Sequence, residues 1–446
     1  MTDLQDRPSP PDGPVSGDSA SGEPELETGT SPLKLVVLAA LLGAAGIFGG
    51  LSMVIVILSV VVMIFLHELG HYLAARWAGM KVTEFFIGFG PKIWSFTRGE
   101  TEYGLKVIPA GAYVRVIGMN SLDDAHDAAD EPRTYRQASF PKRMILAVAG
   151  SGMHFAQALL ALFVVFALVG IPGGRNYDPD TAVEPAPEIA RVVEDSAAAA
   201  AGLEAGDTIL ELDGVPVDNW NAFRDEIGSQ PNEQVDLTVQ SGESVSRVTV
   251  LLDEIDDPDG GTRGSLGIAR AGFERPLVTV GPAEAAGDAV SDFGYITGEV
   301  FGFLGRFFSP SGLNDYGSVV ASANSGSDTV SAVSSGAPAE DVPDRPMSLV
   351  GAVRLGSDIT DAGLWGFLLF YAQINITIGI INLMPFPPLD GGHVAVAIYE
   401  RIREIGRKKR RHIIDYSKLI PVAYAMFVIL GLVFVTTTYL DILDAV

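Results

Sequence analysis

The sequence contains no cysteine, and its 30 lysine and arginine residues are outnumbered by 55 aspartate and glutamate residues. Without cysteine there is no disulfide framework and no thiolate metal site, so histidine, aspartate or glutamate must hold any metal. The net charge of −25 argues against a nucleic-acid partner, because such proteins present a basic surface. The N-terminus lacks a basic segment followed by a hydrophobic one, so we expect no cleavable signal peptide.

Apolar residues, in contrast, are abundant. They make up 48% of the chain, and the mean hydropathy is +0.28. Runs of about 20 apolar residues, long enough to cross a bilayer core of roughly 30 Å, account for this excess. We therefore predict a polytopic α-helical membrane protein with four core transmembrane helices.

The first apolar run, Leu35–Leu66, is too long for one span, since a helix rises about 1.5 Å per residue. Gly49 and Gly50 indicate a break within it. Residues 34–50 then form a separate short helix. This helix either makes an extra crossing or lies partly in the membrane, and the sequence leaves both alternatives open.

The predicted order along the chain alternates membrane and extramembrane segments. It comprises an acidic disordered tail (1–33), the short apolar helix (34–50), a transmembrane helix (51–78), a membrane-associated β-hairpin region (79–141), a second transmembrane helix (142–171), a folded domain (185–256), a helix and linker (257–362), a third transmembrane helix with its following turn (363–392), a basic loop (393–418) and a last transmembrane helix (419–441).

Charge predicts the orientation of these segments. Residues 76–143 contain 10 lysines and arginines and residues 401–418 contain 8, whereas residues 174–365 contain 10 against 33 acidic residues. Basic residues in short loops favour the cytoplasmic side. The β-hairpin region and the basic loop are therefore predicted to be cytoplasmic, and the folded domain extracytoplasmic.

The stretch FLHELGHYLAAR places three polar side chains at the end of a transmembrane run. His67 and His71 lie one turn apart on one helix face, a spacing at which two imidazoles bind one zinc ion. Glu68 stands beside them, where a carboxylate can act as general base on a zinc-activated water. Ionisable groups at membrane depth are costly and usually functional, so a metal site is favoured over a chance match.

A catalytic zinc usually has three protein ligands, and Asp390 is the candidate for the third. It lies in INLMPFPPLDGGH, residues 381–393, at the membrane side where His71 is expected. The prolines force the backbone out of a regular helix. Asn382 could hold a peptide carbonyl or the loop itself, and His393 could orient a ligand. The alternative is a simple proline-rich turn at the membrane interface.

HELGH together with NLMPFPPLDG resembles the site-2 protease family of intramembrane zinc metalloproteases. The stretch GMKVTEFFIGFGPKIWSFTRGETEYGLKVIPAGAYVRVIGM, which begins at Gly79, is particularly similar to bacterial enzymes of the regulator-of-sigma-E protease type, especially actinobacterial ones. The resemblance extends from about residue 51 to the C-terminus. It implies a β-hairpin close to the active site.

The resemblance also implies residue roles. One zinc ion would be held by His67, His71 and Asp390, with Glu68 as general base and Asn382 positioning the substrate. Many relatives have a Gly-Pro followed by an asparagine at the start of the second span, whereas this chain reads AGSGMHFAQA. His154 in that stretch either packs in the membrane or faces the active site, where it would alter proton handling or substrate preference.

The stretch AGLEAGDTILELDGVPV resembles the turn–strand–turn pattern of a PDZ domain, an α+β fold that we bound at residues 185–256. Such a domain would bind peptides or exclude large substrates, although a folded spacer is an alternative. The expected function is an endopeptidase of the plasma membrane in regulated intramembrane proteolysis. Its substrates would be single-span proteins such as anti-sigma factors or signal-peptide remnants, already trimmed by a site-1 protease. A scaffold with structural zinc and a metal transporter are the rival hypotheses.

Overall fold

The computed structural model describes residues 32–119, 127–175, 177–178, 181–256, 261–272, 275–323, 346–407, 414 and 419–443. Nearly all of the predicted acidic tail lies outside the described residues, as does most of the chain beyond residue 407 in the predicted basic loop.

Four of the described helices are long and apolar enough to cross a membrane: Gly43–Trp77, Phe140–Val169, Leu364–Asn382 and Ile420–Ile442. The chain is therefore a multi-pass membrane protein. In the second and third of these helices, 39% of the apolar 18-residue stretch is buried inside the protein, against 6% in the fourth helix. The fourth helix thus lies at the periphery, where its side chains would face lipid.

The first helix, α1 (Pro32–Trp77), contains non-helical backbone at Gly50, with φ 71° and ψ −175°. This left-handed conformation is accessible to glycine at little cost, and it kinks the helix at the predicted glycine pair. The kink lies one residue before residue 51, where the sequence places the start of the transmembrane helix.

A long antiparallel hairpin follows α1. Its strands are β1 (Val82–Arg98) and β2 (Thr101–Val116), paired from Arg98 opposite Thr101 at the turn. Gly99 supplies the positive φ of 68° that the turn requires. The Phe85 ring packs edge-on against Phe65 and Tyr72 of α1, with centroids 5.6 and 5.5 Å apart. These contacts hold the hairpin against the helix that carries the H-E-x-x-H motif.

Two short 3₁₀ turns lead to α2 (Phe140–Val164), which continues as a π-helical turn through Val169. The chain then enters a small α+β domain through β3 (Ile171–Pro172), which pairs with β12 (Leu277–Val278) on the way back. This two-stranded ladder joins the entrance and the exit of the domain.

The elements of the domain are β4 (Ile189–Val192), α3 (Ala197–Ala200), β5 (Thr208–Leu212), β6 (Val215–Pro216), α4 (Trp220–Gly228), β7 (Gln234–Ser241), β8 (Ser244–Leu251), β9 (Asp253–Asp256), β10 (Thr262–Ser265) and β11 (Ile268–Arg270). They form a four-stranded antiparallel sheet in the order β6–β5–β7–β8 and two further strand pairs, β4–β11 and β9–β10. The domain extends beyond the predicted end at residue 256, because β11 pairs with β4 and Leu266 is buried in the domain core.

Among the described residues, three helices precede the third span: α5 (Pro282–Phe307), α6 (Pro310–Ala323) and α7 (Leu349–Asp361). The sequence predicted one helix and a linker in this region, and residues 324–345 of the linker lie outside the described residues. Ala285 and Ala289 of α5 are buried in one apolar cluster with residues of α2 and the third span. The third span, α8 (Leu364–Asn382), ends before the three prolines.

Asp390 begins a separate helix, α9 (Asp390–Arg407), in a region predicted as the end of a span and a basic loop. This helix was missed because its charged residues were taken for a loop. Its apolar face packs on α2, and Val396 and Ala397 are buried. The last helix, α10 (Ile420–Leu443), contacts α6 and α7.

Candidate active site

His67 and His71 of α1 lie side by side, with ring centroids 4.8 Å apart, and each residue is 8% exposed. The helix itself explains this arrangement, because residues four apart lie on one face. Burial of two imidazoles in an otherwise apolar helix requires partners for their ring nitrogens.

Asp390, the first residue of α9, supplies the carboxylate predicted from the proline-rich motif. Its Oδ2 atom lies 3.2 Å from His71 Nε2 and 3.4 Å from His67 Nε2, and the two Nε2 atoms are 3.2 Å apart. Within the part of the chain that the structure describes, these three side chains could together hold a metal ion, because their ligand atoms all lie within 4.8 Å of one another.

The triangle of donor atoms fits zinc. Zinc–nitrogen and zinc–oxygen distances of about 2.0–2.1 Å in a tetrahedral site place neighbouring ligand atoms about 3.3 Å apart. His71 Nδ1 lies 2.8 Å from the Leu146 carbonyl, which can only accept, so Nδ1 carries the proton and Nε2 of the neutral ring is an acceptor. Nε2 and the Asp390 carboxylate are then two acceptors facing each other, an arrangement that a cation between them stabilises.

The charge state of the Asp390 carboxyl also suits a metal ligand. Burial by itself would raise the pKa of the Asp390 carboxyl, but its nearness to His71 and His67 outweighs burial and lowers this pKa below its usual value. The side chain is therefore an anionic oxygen donor at neutral pH.

Glu68 lies beside the three donor atoms and not among them. Its carboxylate lies near the backbone of Val114 on β2 and near His71 and Asp390. The hairpin therefore reaches the site directly, as the sequence predicted. A carboxylate next to a metal, but not coordinating it, has the position that a general base needs.

One face of α2 closes the site from the other side. The Leu146 carbonyl orients His71, and Gly150 lies so close that an added Cβ would be 2.6 Å from His67 Nε2 and closer still to His71 Nε2. Only glycine fits there. Sequence reasoning missed Gly150, since AGSG is unremarkable until α2 is seen against the imidazoles.

His154, further along the same face of α2, is buried and lies against the site. Its ring is 4.9 Å from that of His67, and its Nδ1 is 2.9 Å from Asn375 Oδ1. Asn375 donates its Nδ2 to the Tyr371 carbonyl at 2.8 Å, so its oxygen faces His154 and Nδ1 of His154 is the donor. His154 therefore combines the two predicted alternatives, packing between helices and bordering the site.

The two remaining candidates occupy the ends of the proline-rich loop. Asn382 is the last residue of α8, and within the described residues its amide makes no hydrogen bond to the three converging side chains. His393 lies one turn after Asp390 and packs edge-on against Tyr135, with centroids 6.2 Å apart. Burial lowers the pKa of His393, which favours the neutral ring.

Glycines after Asp390 allow the loop to close on itself. An added Cβ at Gly391 would collide with the carbonyls of Leu383 and Met384, and one at Gly392 would lie 2.7 Å from Pro387 N. This close backbone approach requires glycine at both positions. It returns the chain from the end of α8 to the start of α9.

A polytopic membrane fold with an H-E-x-x-H helix and a third acidic donor on another helix defines a membrane-embedded metalloprotease. The chain matches the model of Peptidase family M50 over residues 55–428 and belongs to this family, that of the site-2 proteases. It is 31% identical to the zinc metalloprotease Rip1 of Mycobacterium tuberculosis over 410 residues, which cover 87% of this chain and 96% of that protein.

Rip1 of Mycolicibacterium smegmatis is 30% identical over 420 residues, covering 87% and 97% of the two chains. The protein is thus a zinc metalloprotease, a hydrolase. Among solved structures, the PDZ domain of the SdrC-like protein from Listeria monocytogenes is similar, with 26% identity, coverage of 19% of this chain and 87% of that one, and a TM-score of 0.18.

Proposed function

We propose that this protein is an intramembrane endopeptidase that cleaves single-span membrane proteins, such as anti-sigma factors or signal-peptide remnants, in regulated intramembrane proteolysis. The observation that carries the proposal is the convergence of His67, His71 and Asp390 beside Glu68 on helices that cross or end at the membrane. A site at this depth reaches peptide bonds within or near the bilayer, which soluble proteases do not.

His67, His71 and Asp390 would hold one zinc ion. When bound, zinc supplies a Lewis acid that polarises the scissile carbonyl and lowers the pKa of a coordinated water. Glu68 takes the proton from the attacking water and passes it to the leaving amine.

A helical substrate must be unwound before attack, because its peptide groups are hydrogen-bonded within the helix. β1 and β2 fold over each other, so residues 84–87 of β1 pair with β2 on both sides. Residues 112–116 of β2 pair with β1 on one side, and among the described residues their other edge has no strand neighbour. We infer that an extended substrate adds to this edge next to Glu68. Asn382, at the end of α8, would hold a substrate carbonyl on the opposite side.

The distribution of charge supports a plasma-membrane topology with the active site near the cytoplasmic side. The hairpin and α9 lie at the end of α1 that carries His71, and both belong to the basic segments of the chain. The α+β domain belongs to the acidic region of 10 basic and 33 acidic residues. This domain is then extracytoplasmic, across the membrane from the cut.

The α+β domain would act as a PDZ domain that receives the outer end of a substrate already trimmed by a site-1 protease. A groove of about 220 Å³ runs between α4 and the segment that leads into β11. Arg224 and Arg263 line it and complement a free carboxylate. Its apolar lining suits hydrophobic side chains and comprises Trp220, Phe223, Ile227, Leu266 and Ile268.

Purified full-length protein in detergent tests the proposal with a single-span substrate in two forms, one with a long outer segment and one trimmed. Wild type, Glu68→Gln and Asp390→Asn are compared, each with its zinc content measured. Asp358→Asn, an exposed carboxylate on α7, is the control. We expect cleavage of the trimmed form by wild type and control, zinc retention without cleavage in Glu68→Gln, and loss of both in Asp390→Asn.

Two results would contradict the proposal. Zinc bound by all variants with no cleavage by wild type would favour the scaffold hypothesis. Full activity of Asp390→Asn would remove Asp390 from the site.

A further inference from the structure

A buried ion pair joins the two helices that meet at the metal site. Arg143 Nη1 of α2 donates to Glu400 Oε2 of α9, and the two side chains are 4% and 1% exposed. The other oxygen of Glu400 accepts from the Ile414 backbone N–H at 2.7 Å, and the Tyr135 ring lies 5.8 Å from the guanidinium carbon. All of these partners lie outside the site described above.

Each helix carries a component of the site at a fixed spacing from this pair. On α2, Leu146 follows Arg143 by one turn and binds His71, and Gly150 follows one turn later. On α9, Asp390 precedes Glu400 by about 15 Å of helix axis, at 1.5 Å per residue. A shift of α9 along α2 would therefore carry Asp390 away from His71 by the same amount.

The remaining contacts between the helices restrain such a shift less strictly. α9 packs on α2, and Val396 and Ala397 of α9 are buried. Apolar burial has little directional preference. An ion pair has a defined partner atom, and register is the best-attested role of buried ion pairs, which on average add little to stability.

We propose that Arg143 and Glu400 are positioning residues that hold Asp390 at ligand distance from His67 and His71. This inference rests on the proposed zinc site. The pair acts through the axial register of α9 on α2, not through contact with substrate.

The test measures zinc affinity of the full-length protein in detergent by competition with a chromophoric chelator, together with the absorption spectrum of the Co²⁺-substituted protein. Arg143→Met/Glu400→Gln removes both charges, and its glutamine can still accept from Ile414. We expect zinc binding 10- to 100-fold weaker and shifted Co²⁺ bands, at a melting temperature close to that of wild type.

Glu400→Asp keeps both charges and shortens one side chain by a methylene. We expect it to fold like wild type, to bind zinc several-fold more weakly and to shift the Co²⁺ bands in the same direction. If the double variant does not fold, the zinc affinity and the Co²⁺ spectrum of Glu400→Asp decide whether the ion pair positions Asp390.

Arg175→Met/Asp292→Asn is the matched control. This ion pair, 2.5 Å between Arg175 Nη2 and Asp292 Oδ1, joins the segment beyond the far end of α2 to α5. Zinc affinity and Co²⁺ bands should not change in it. Wild-type zinc affinity and spectrum in Glu400→Asp and in the double variant would overturn the positioning role. A wild-type protein that binds no zinc would instead overturn the zinc site, and the positioning role with it.

Discussion

Replacing Gly150 with alanine would place a methyl group against both imidazoles of the site. The added Cβ would lie 2.6 Å from His67 Nε2 and closer still to His71 Nε2, whereas ordinary contacts lie between 3.4 and 4 Å. Either the rings or α2 must therefore move by roughly 1 Å. His71 cannot simply turn away, because its Nδ1 is bound to the Leu146 carbonyl on the same face of α2.

A displacement of this size is large for a metal site. Ligand distances are expected within about 0.2 Å of their usual values, and a misplacement of 1 Å in an active site can cost about 100-fold in rate. We expect Gly150→Ala to lower zinc affinity and cleavage by at least about 100-fold. The fold should survive, since alanine is favoured over glycine in a helix by up to about 1 kcal/mol.

Gly152 provides the matched control on the same helix. It is exposed, and an added Cβ there meets nothing within 4 Å. Both alanine variants would be purified in full length and compared in zinc content, chelator competition, melting temperature and cleavage. If Gly150→Ala bound zinc and cleaved substrate like Gly152→Ala, then α2 would not lie against the imidazoles and the described geometry of the site would be wrong.

Three further predictions concern the hydrogen bond between His154 and Asn375, the α+β domain and the metal. His154→Leu leaves the buried Asn375 oxygen without its donor, so we expect the free energy of unfolding to fall by about 1–3 kcal/mol. The double variant His154→Leu/Asn375→Leu should recover part of this loss, because it removes the unpaired oxygen as well. Equal losses in the two variants would contradict the hydrogen bond. Burial alone would raise the pKa of Glu184, but hydrogen bonds from Tyr177 and two arginines lower it. Its stabilising effect is therefore present at neutral pH and is lost as the pH falls through this lowered pKa. Hydrogen exchange of the full chain should show the α+β domain loosening on acidification in wild type and less pH dependence in Glu184→Gln. An unchanged pH dependence in the variant would refute this reasoning. A strong zinc chelator should abolish cleavage and added zinc should restore it, whereas chelator-resistant cleavage would exclude a metal-dependent reaction.

The sequence alone determined the membrane class and half of the site. Apolar runs of about 20 residues predict spanning helices wherever they occur, because the bilayer is the environment that accommodates them. His67 and His71 needed only the helical period to be placed side by side. Gly50 likewise marked the kink in α1 from its own conformational freedom. Asp390 was predicted from its position after the third span, on the membrane side where His71 is expected, beside prolines that end the helix.

Only the tertiary structure decided how the other helices surround these residues. Gly150 and the Leu146 carbonyl become significant through their distance to a different helix, and the Arg143–Glu400 pair joins residues far apart in sequence. β11 was missed as part of the α+β domain for the same reason, because it pairs with the distant β4. Periodicity and composition are local properties of one segment, whereas close approach, pairing and register arise between segments that the sequence does not place together.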